Sequence, residues 1–170
     1  MRPGARLHHG WLARVALSVA LLMLAGGAAL ADPSAALGAT TVELTIVGGP
    51  ALNPNYQGRP SPVVVRVFDL AAAPAFESAD YSALFETPGD ALKSAIATQE
   101  EFILRPGDIE ERNRTLQPRV TMLGVAAAFR DLDHAVWHLT IPVKAGQRNF
   151  LLVQIDQDRI RLEPVDSGKK

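Results

Sequence analysis

The sequence predicts a mainly β protein built as a two-sheet antiparallel β-sandwich. About eight segments show the apolar–polar alternation or β-branched composition of strands, and short turns separate most of them. Helical spacing interrupts this pattern once, between residues 71 and 97. Because no helix follows each strand, a doubly wound parallel sheet is disfavoured.

The first two predicted strands differ in how much of each face is apolar. Within Thr41–Val47, apolar residues fill every second position, which is typical of a half-buried strand. Pro62–Leu70 is apolar on both faces except at Arg66 and Asp69. We therefore expect this second strand to lie inside a sheet.

The interruption predicts one or two short helices. Its larger apolar residues fit one side of a helix: Phe76, Leu84, Phe85, Leu92 and Ile96. Pro88 is expected to end the first helix, and the Asp90 carboxylate is placed to cap the second.

Six later segments have strand composition: Glu101–Arg105, Thr115–Gln117, Val120–Arg130, Val136–Val143, Asn149–Asp156 and Arg159–Val165. Turns are predicted at Pro106–Asp108, Asp131–Asp133 and Ala145–Gln147, where the alternation stops.

The connection from Gly48 to Ser61 is unusually long. Hairpin loops usually have about 2–5 residues, whereas this one has 14, including three prolines. The extra length is either a tolerated insertion, since doubling a loop costs only about 0.6 kcal/mol, or a stiffened recognition surface. Length alone does not separate these two interpretations.

Composition excludes several classes of site. The sequence has no cysteine, which rules out disulfides, zinc–thiolate centres and thiol catalysis. Its net charge is −1, and the residues after position 31 are mildly acidic because the first 31 contain three arginines and no acid. An acidic surface without a basic block argues against binding to nucleic acid.

The first 31 residues have the features of a secretory signal peptide. A basic start precedes an apolar run, and Ala29 and Ala31 supply the small residues that a signal peptidase requires. The alternative is an uncleaved anchor, because Val15–Ala31 is at the lower limit for a spanning helix. We expect export, a leader over residues 32–39, a folded domain over residues 40–165 and a polar tail over residues 166–170.

Residues suited to catalysis or metal binding do not combine into a site. A four-residue separation in a strand places His134 and His138 about 13 Å apart, too far to share a metal ion, so both are expected to face solvent. Asp131 beside His134 could orient a general base, but turn chemistry alone accounts for aspartates there. Adjacent glutamates at 100–101 and 110–111 point to opposite faces, and no nucleophile elbow is present. We expect no enzymatic activity, metal or cofactor.

Four blocks of the sequence resemble the TssJ family of type VI secretion lipoproteins. They are Ser61–Leu70, Phe76–Leu84, Pro106-Gly107, and Gly124–Leu132 followed by Trp137. The likeness covers about residues 40–165. It implies a transthyretin-like β-sandwich with a short helical insertion after the second strand, located in the periplasm.

The resemblance also implies a partner. The resemblance implies that the chain holds the periplasmic C-terminal domain of the inner-membrane protein TssM, with other membrane-complex subunits as further candidate partners. It also implies that the loop between the first two strands contributes to the TssM contact. This loop corresponds to Gly48–Ser61. A loop-borne aromatic residue and an arginine make good anchors, and asparagines offer adaptable hydrogen bonds. The expected contact residues are Leu52, Asn53, Asn55, Tyr56 and Arg59.

The chain departs from this family at the end of the predicted signal peptide. Residues 24–27 resemble a lipobox, with Gly27 in place of the lipidated cysteine. We expect no direct lipid anchor, and hence a protein that is free in the periplasm, associated with the outer membrane through another lipoprotein, or held by an uncleaved N-terminus. The alternative function is a soluble periplasmic carrier of a small or peptide ligand bound between the sheets.

Overall fold

Two four-stranded sheets pack face to face in the structure, a computed structural model that describes residues 38–165. The strands are β1 (Thr41–Gly48), β2 (Val63–Leu70), β3 (Ile96–Leu104), β4 (Ile109–Thr115), β5 (Met122–Ala127), β6 (His138–Pro142), β7 (Arg148–Asp156) and β8 (Arg159–Glu163). Three short helices precede β3: α1 (Pro74–Glu77), α2 (Tyr81–Phe85) and α3 (Asp90–Ala95). The predicted signal peptide and polar tail lie outside the described residues, as does most of the predicted leader.

Sheet 1 has the strand order β4-β1-β7-β8, and sheet 2 has the order β3-β2-β5-β6. All neighbours are antiparallel except β1 and β7, which run parallel and are far apart in sequence. The predicted two-sheet, mainly β sandwich is confirmed. Strand β2 lies between β3 and β5, as its apolar composition indicated.

The core between the sheets is formed by alternate residues of the central strands. Val42, Leu44 and Ile46 of β1 are almost fully buried, and the inward face of β2 packs into the same cluster. Burying each such side chain contributes about 1.5–3 kcal/mol. This core holds the two sheets at a fixed separation and so positions the loops at their ends.

The helices cover the outer face of sheet 2. Phe68 and Leu70 point outward from β2 and pack with Phe76, Leu84 and other helix residues in a second apolar cluster. Gly124 of β5 allows this close approach, because a Cβ there would lie 2.7 Å from Cζ of Phe76. None of the helices within residues 38–165 is long and apolar enough to cross a membrane.

The helical segment differs from the prediction in its caps. The carboxylate of Asp80 accepts a hydrogen bond from the Ala83 amide at 2.8 Å and caps α2. The predicted cap at Asp90 is wrong: Gly89 is the N-cap of α3, and Asp90 is the first helical residue. Three helices form where one or two were expected.

The two edge strands β3 and β4 also differ from the prediction. Strand β3 begins at Ile96 rather than Glu101, and β4 ends at Thr115, where the prediction had a strand begin. Both strands carry charged residues on the face toward the opposite sheet, where Arg114 of β4 binds Glu100 of β3 at 2.8 Å. The apolar–polar alternation that indicates strands is therefore weak in this part of the sequence.

Candidate functional site

The long connection after β1 crosses from sheet 1 to sheet 2 at one end of the sandwich. We call residues 49–62 the crossover loop. It cannot be a short hairpin, because stacked sheets lie about 10 Å apart. Gly49 begins it: the Gly49 amide donates to the Ile155 carbonyl at 2.8 Å, and a Cβ at this position would collide with the Asp156 side chain.

Leu52 and Asn53 attach the crossover loop to the body of the protein. Leu52 is fully buried in the core, and its carbonyl accepts a hydrogen bond from the Ser61 amide at 2.9 Å. Asn53 is 4% exposed and adopts a left-handed backbone with φ of 44°. Its Nδ2 donates to the Pro62 carbonyl at 2.8 Å, and its Oδ1 accepts from the Arg130 amide at 2.9 Å.

The burial of these two residues corrects the expectation that their side chains offer contact surface. Leu52 lies inside the core, and Asn53 uses both ends of its amide on backbone groups of the protein itself. Their role in the described conformation is to fix the crossover loop.

Asn55 shapes the tip of the crossover loop. Its Oδ1 accepts hydrogen bonds from the backbone amides of Gln57 at 2.9 Å and Arg59 at 3.0 Å. The backbone N–H of Asn55 donates to the Arg59 carbonyl at 2.9 Å. Gly58, at a φ of 75°, completes the turn. This turn holds Tyr56 outward with 95% of its surface exposed, and Arg59 is exposed beside it.

An open cleft of about 570 Å³ lies beside the tip. One side is formed by residues 53–56 of the crossover loop, and the others by residues 129–131 and by the turn between β7 and β8 at residues 157–158. Sequence reasoning placed none of the latter residues at a binding site. Nothing in the local sequence shows that the Arg130 amide meets the side chain of Asn53.

The aspartates of the cleft already have partners within the protein. Asp131 accepts a 2.8 Å hydrogen bond from His134, and this bond raises the pKa of the imidazole. Asp158 binds the Arg159 guanidinium at 2.8 Å, which lowers the pKa of its carboxyl. In contrast, neither Arg59 nor Arg130 forms an ion pair with any carboxylate of residues 38–165.

The two histidines occupy different environments and do not meet. His134 is exposed, as expected, but His138 is half-buried, which corrects the expectation that it faces solvent. Its ring packs against Phe76 of α1 and the neighbouring Trp137. No group of three or more potential metal-ligating His, Asp or Glu side chains occurs within residues 38–165.

The space between the sheets has two parts. Apolar side chains fill the region between the central strands. A cleft of about 490 Å³ opens between the edge strands β3 and β4, where Arg114 binds Asp69 at 3.2 Å and Glu100 at 2.8 Å. The open part of the space between the sheets is therefore lined by polar and charged side chains.

The chain is similar to proteins of type VI secretion systems. Residues 40–158 match the family described as "Type VI secretion lipoprotein, VasD, EvfM, TssJ". No curated protein matches the chain with significant similarity.

Solved structures agree with this assignment. The lipoprotein TssJ1 from Pseudomonas aeruginosa is 32% identical with a TM-score of 0.70, over 75% of this chain and 98% of that one. A chain of a structure described as the type VI membrane complex is 28% identical with a TM-score of 0.66, over 74% and 98%. A chain of a structure described as the TssM C-terminal domain from EAEC is 28% identical with a TM-score of 0.63, over 72% and 99%. Together with the eight-stranded sandwich and its crossover loop, these matches show that the chain belongs to the TssJ family of type VI secretion lipoproteins.

Proposed function

We propose that the chain is a non-catalytic assembly subunit of a type VI secretion membrane complex and that it binds the periplasmic C-terminal domain of TssM. The crossover loop and the adjacent cleft form the binding face. The observation that carries this proposal is the fixed tip of the loop, which holds Tyr56 almost fully exposed beside an open cleft.

The geometry suits protein recognition better than catalysis. An exposed aromatic side chain on a hydrogen-bonded turn is an anchor that loses little conformational freedom on binding. A specific interface needs about 800 Å² per partner, more than one loop tip supplies. We therefore include residues 129–131 and 157–158 in the face, with Asn55, Tyr56 and Arg59 at its tip and Leu52 and Asn53 as the residues that position it.

Two of the similar structures support the choice of partner, since one is described as the type VI membrane complex and another as the TssM C-terminal domain. These descriptions apply to those proteins. We infer the same partner for this chain because it belongs to the family and exposes the tip of its crossover loop.

Binding between the full chain, purified after export, and the TssM periplasmic domain of the same secretion system tests the proposal. We expect Tyr56→Ala to weaken binding by at least about tenfold, as loss of a central anchor does. Phe150→Ala is the matched control, because Phe150 is also an exposed aromatic residue but lies near the start of β7, at the opposite end of the sandwich.

Two results would count against the proposal. If the wild-type chain does not bind the TssM domain, the function is wrong. If Tyr56→Ala and Phe150→Ala bind equally well, the crossover loop is not part of the interface.

We also propose a periplasmic location after removal of a signal peptide over residues 1–31. Mass spectrometry of the protein isolated from the periplasm should then find Asp32 as the first residue, without an added lipid. An intact N-terminus in the membrane fraction would instead support the uncleaved anchor.

A further inference from the structure

Two asparagine side chains of the crossover loop each hold the backbone of an arginine. Oδ1 of Asn53 accepts a hydrogen bond from the Arg130 amide at 2.9 Å, and Oδ1 of Asn55 accepts one from the Arg59 amide at 3.0 Å. Asn53 is itself buried and bonded to Pro62. These hydrogen bonds fix the backbone positions from which the Arg59 and Arg130 side chains extend.

Charge pairing within the cleft is uneven. Asp158 is paired with the Arg159 guanidinium, and Asp131 accepts a hydrogen bond from the His134 ring, which adds a positive charge only when it is protonated; both distances are 2.8 Å. Arg130 lines the same cleft, yet no carboxylate of residues 38–165 pairs with it, and the same holds for Arg59. The backbones of Arg59 and Arg130 are thus held in place, and both exposed guanidinium groups have donors available to another molecule.

A guanidinium group of this kind favours a carboxylate. Its planar set of N–H donors matches the two oxygens of an aspartate or glutamate, and such charge-assisted pairs are about twice as strong as neutral hydrogen bonds. The volume of the cleft, about 570 Å³, is within the range of sites that accept several side chains or a short peptide segment.

We propose that the cleft receives an acidic segment of the partner, in which an aspartate or glutamate carboxylate binds Arg130 and a second acidic group lies near Arg59. This inference rests on the proposed function and specifies the chemistry of the partner surface. Tyr56 supplies the apolar contact beside the charged one. Because Arg130 lines an open cleft and Arg59 is exposed at the loop tip, they contribute to the association rate and its salt dependence as well as to affinity.

Charge reversal in the full chain tests the inference, with the TssM periplasmic domain as the probe. We expect Arg130→Glu to weaken binding by at least about tenfold at low salt and to reduce the dependence of affinity on ionic strength. Arg130→Lys should retain part of the affinity, because a lysine keeps the charge but loses the bidentate geometry.

Lys144→Glu is the matched control. It makes the same change in net charge on an exposed residue, but in the turn before β7, at the opposite end of the sandwich. Circular dichroism of each variant confirms that the sandwich has formed before binding is compared. A charge-reversed TssM domain, with an acidic residue of its interface changed to arginine, should restore binding to Arg130→Glu.

The outcomes separate this inference from the proposed function. Binding that is lost in Arg130→Glu, kept in Lys144→Glu and restored by the reversed partner supports it. Wild-type binding that Arg130→Glu leaves within twofold, with unchanged salt dependence, overturns the inference alone. Absence of wild-type binding overturns the proposed function and this inference with it.

Discussion

His138 is a titratable side chain in an unfavourable place for a charge. Its ring packs edge-on against Phe76, and its Nδ1 is buried without a hydrogen-bond partner. Burial lowers the pKa of His138, although a bond to the backbone of Glu77 and the charge of Glu77 oppose the shift. Protonation would add a positive charge to a ring whose Nδ1 has no acceptor.

We expect His138 to make the protein less stable in mild acid. The pKa of His138 is lower in the folded state than in the unfolded state, where it is about 6.5. Below about pH 6.5 the unfolded state therefore binds more protons, and the free energy of unfolding decreases until the pH reaches the folded-state pKa. Above about pH 6.5 the effect is absent.

Unfolding by urea at pH 7.5 and pH 5.0 measures this effect. The decrease in the free energy of unfolding between these two pH values should be smaller in His138→Gln than in the wild type. His134→Gln is the control, since the raised pKa of His134 gives a contribution of the opposite sign. An equal acid loss in wild type and His138→Gln would contradict the prediction.

Sequence reasoning at the residue scale identified the exposed tip of the crossover loop but not the residues that support it. Tyr56 and Arg59 are exposed, as contact residues must be. Leu52 and Asn53 lie only a few residues earlier and are buried. In a segment without regular periodicity, nothing indicates which side chains turn inward, and the left-handed backbone of Asn53 depends on its bonds to Pro62 and Arg130.

Among the elements, the short helix α2 depends on its N-terminal cap. Helices of this length are unstable alone, because nucleation is costly. We expect Asp80→Ala to destabilise the protein by about 1 kcal/mol, since the Ala83 amide loses its acceptor.

Asp90→Ala is the control for this prediction. Asp90 is also an acidic residue at a helix start, but its side chain does not cap α3 and lies 3.9 Å from Lys93 in an exposed contact. Urea unfolding should show a change of less than about 0.5 kcal/mol for Asp90→Ala. Equal losses in the two variants would mean that the Asp80 bond contributes little.

Strand boundaries were most predictable where one face is apolar and least predictable at the edges. The alternation over Thr41–Val47 gave the inward face of β1 and its extent to within one residue, since the strand ends at Gly48. In β4, charged or polar side chains occupy nearly every position, including those that face the other sheet. The inward-facing residues of β4 can be recognised only from their partners on other strands, as Arg114 is from its ion pair with Glu100 of β3.

For the whole molecule, an ion pair joins the two sheets at their open edge. Asp69 of β2 and Arg114 of β4 are both largely buried, and Asp69 also binds the Thr98 hydroxyl. We expect Arg114→Met to cost up to about 3 kcal/mol, because it leaves a carboxylate buried without its cation.

A double-mutant cycle measures this coupling. Combining Arg114→Met with Asp69→Leu should recover part of the lost stability, since the uncompensated charge is then removed. Arg148→Met, which breaks an exposed 3.4 Å contact with Glu43, should change the free energy of unfolding by less than about 1 kcal/mol. Additive losses in the double variant would show that Asp69 and Arg114 act independently.

The assignment of strands to two sheets could be predicted only in outline. Alternation and turn positions indicate strands, but they do not indicate that β1 and β2 belong to different sheets or that β1 pairs with β7 in parallel. The crossover loop is long partly because it connects strands of two different sheets and must span the distance between them.

Strand β1 also determines how the molecule would respond to a pulling force. It runs about 26 Å, from about 3.3 Å per residue, and leads directly from the N-terminal side at Thr41 to the crossover loop, with β4 and β7 bonded along its two sides. Tension between the N-terminal side and a partner on the loop would act along this strand, in shear. Many backbone bonds to β4 and β7 would then have to break together, so β1 would resist extraction by such a force.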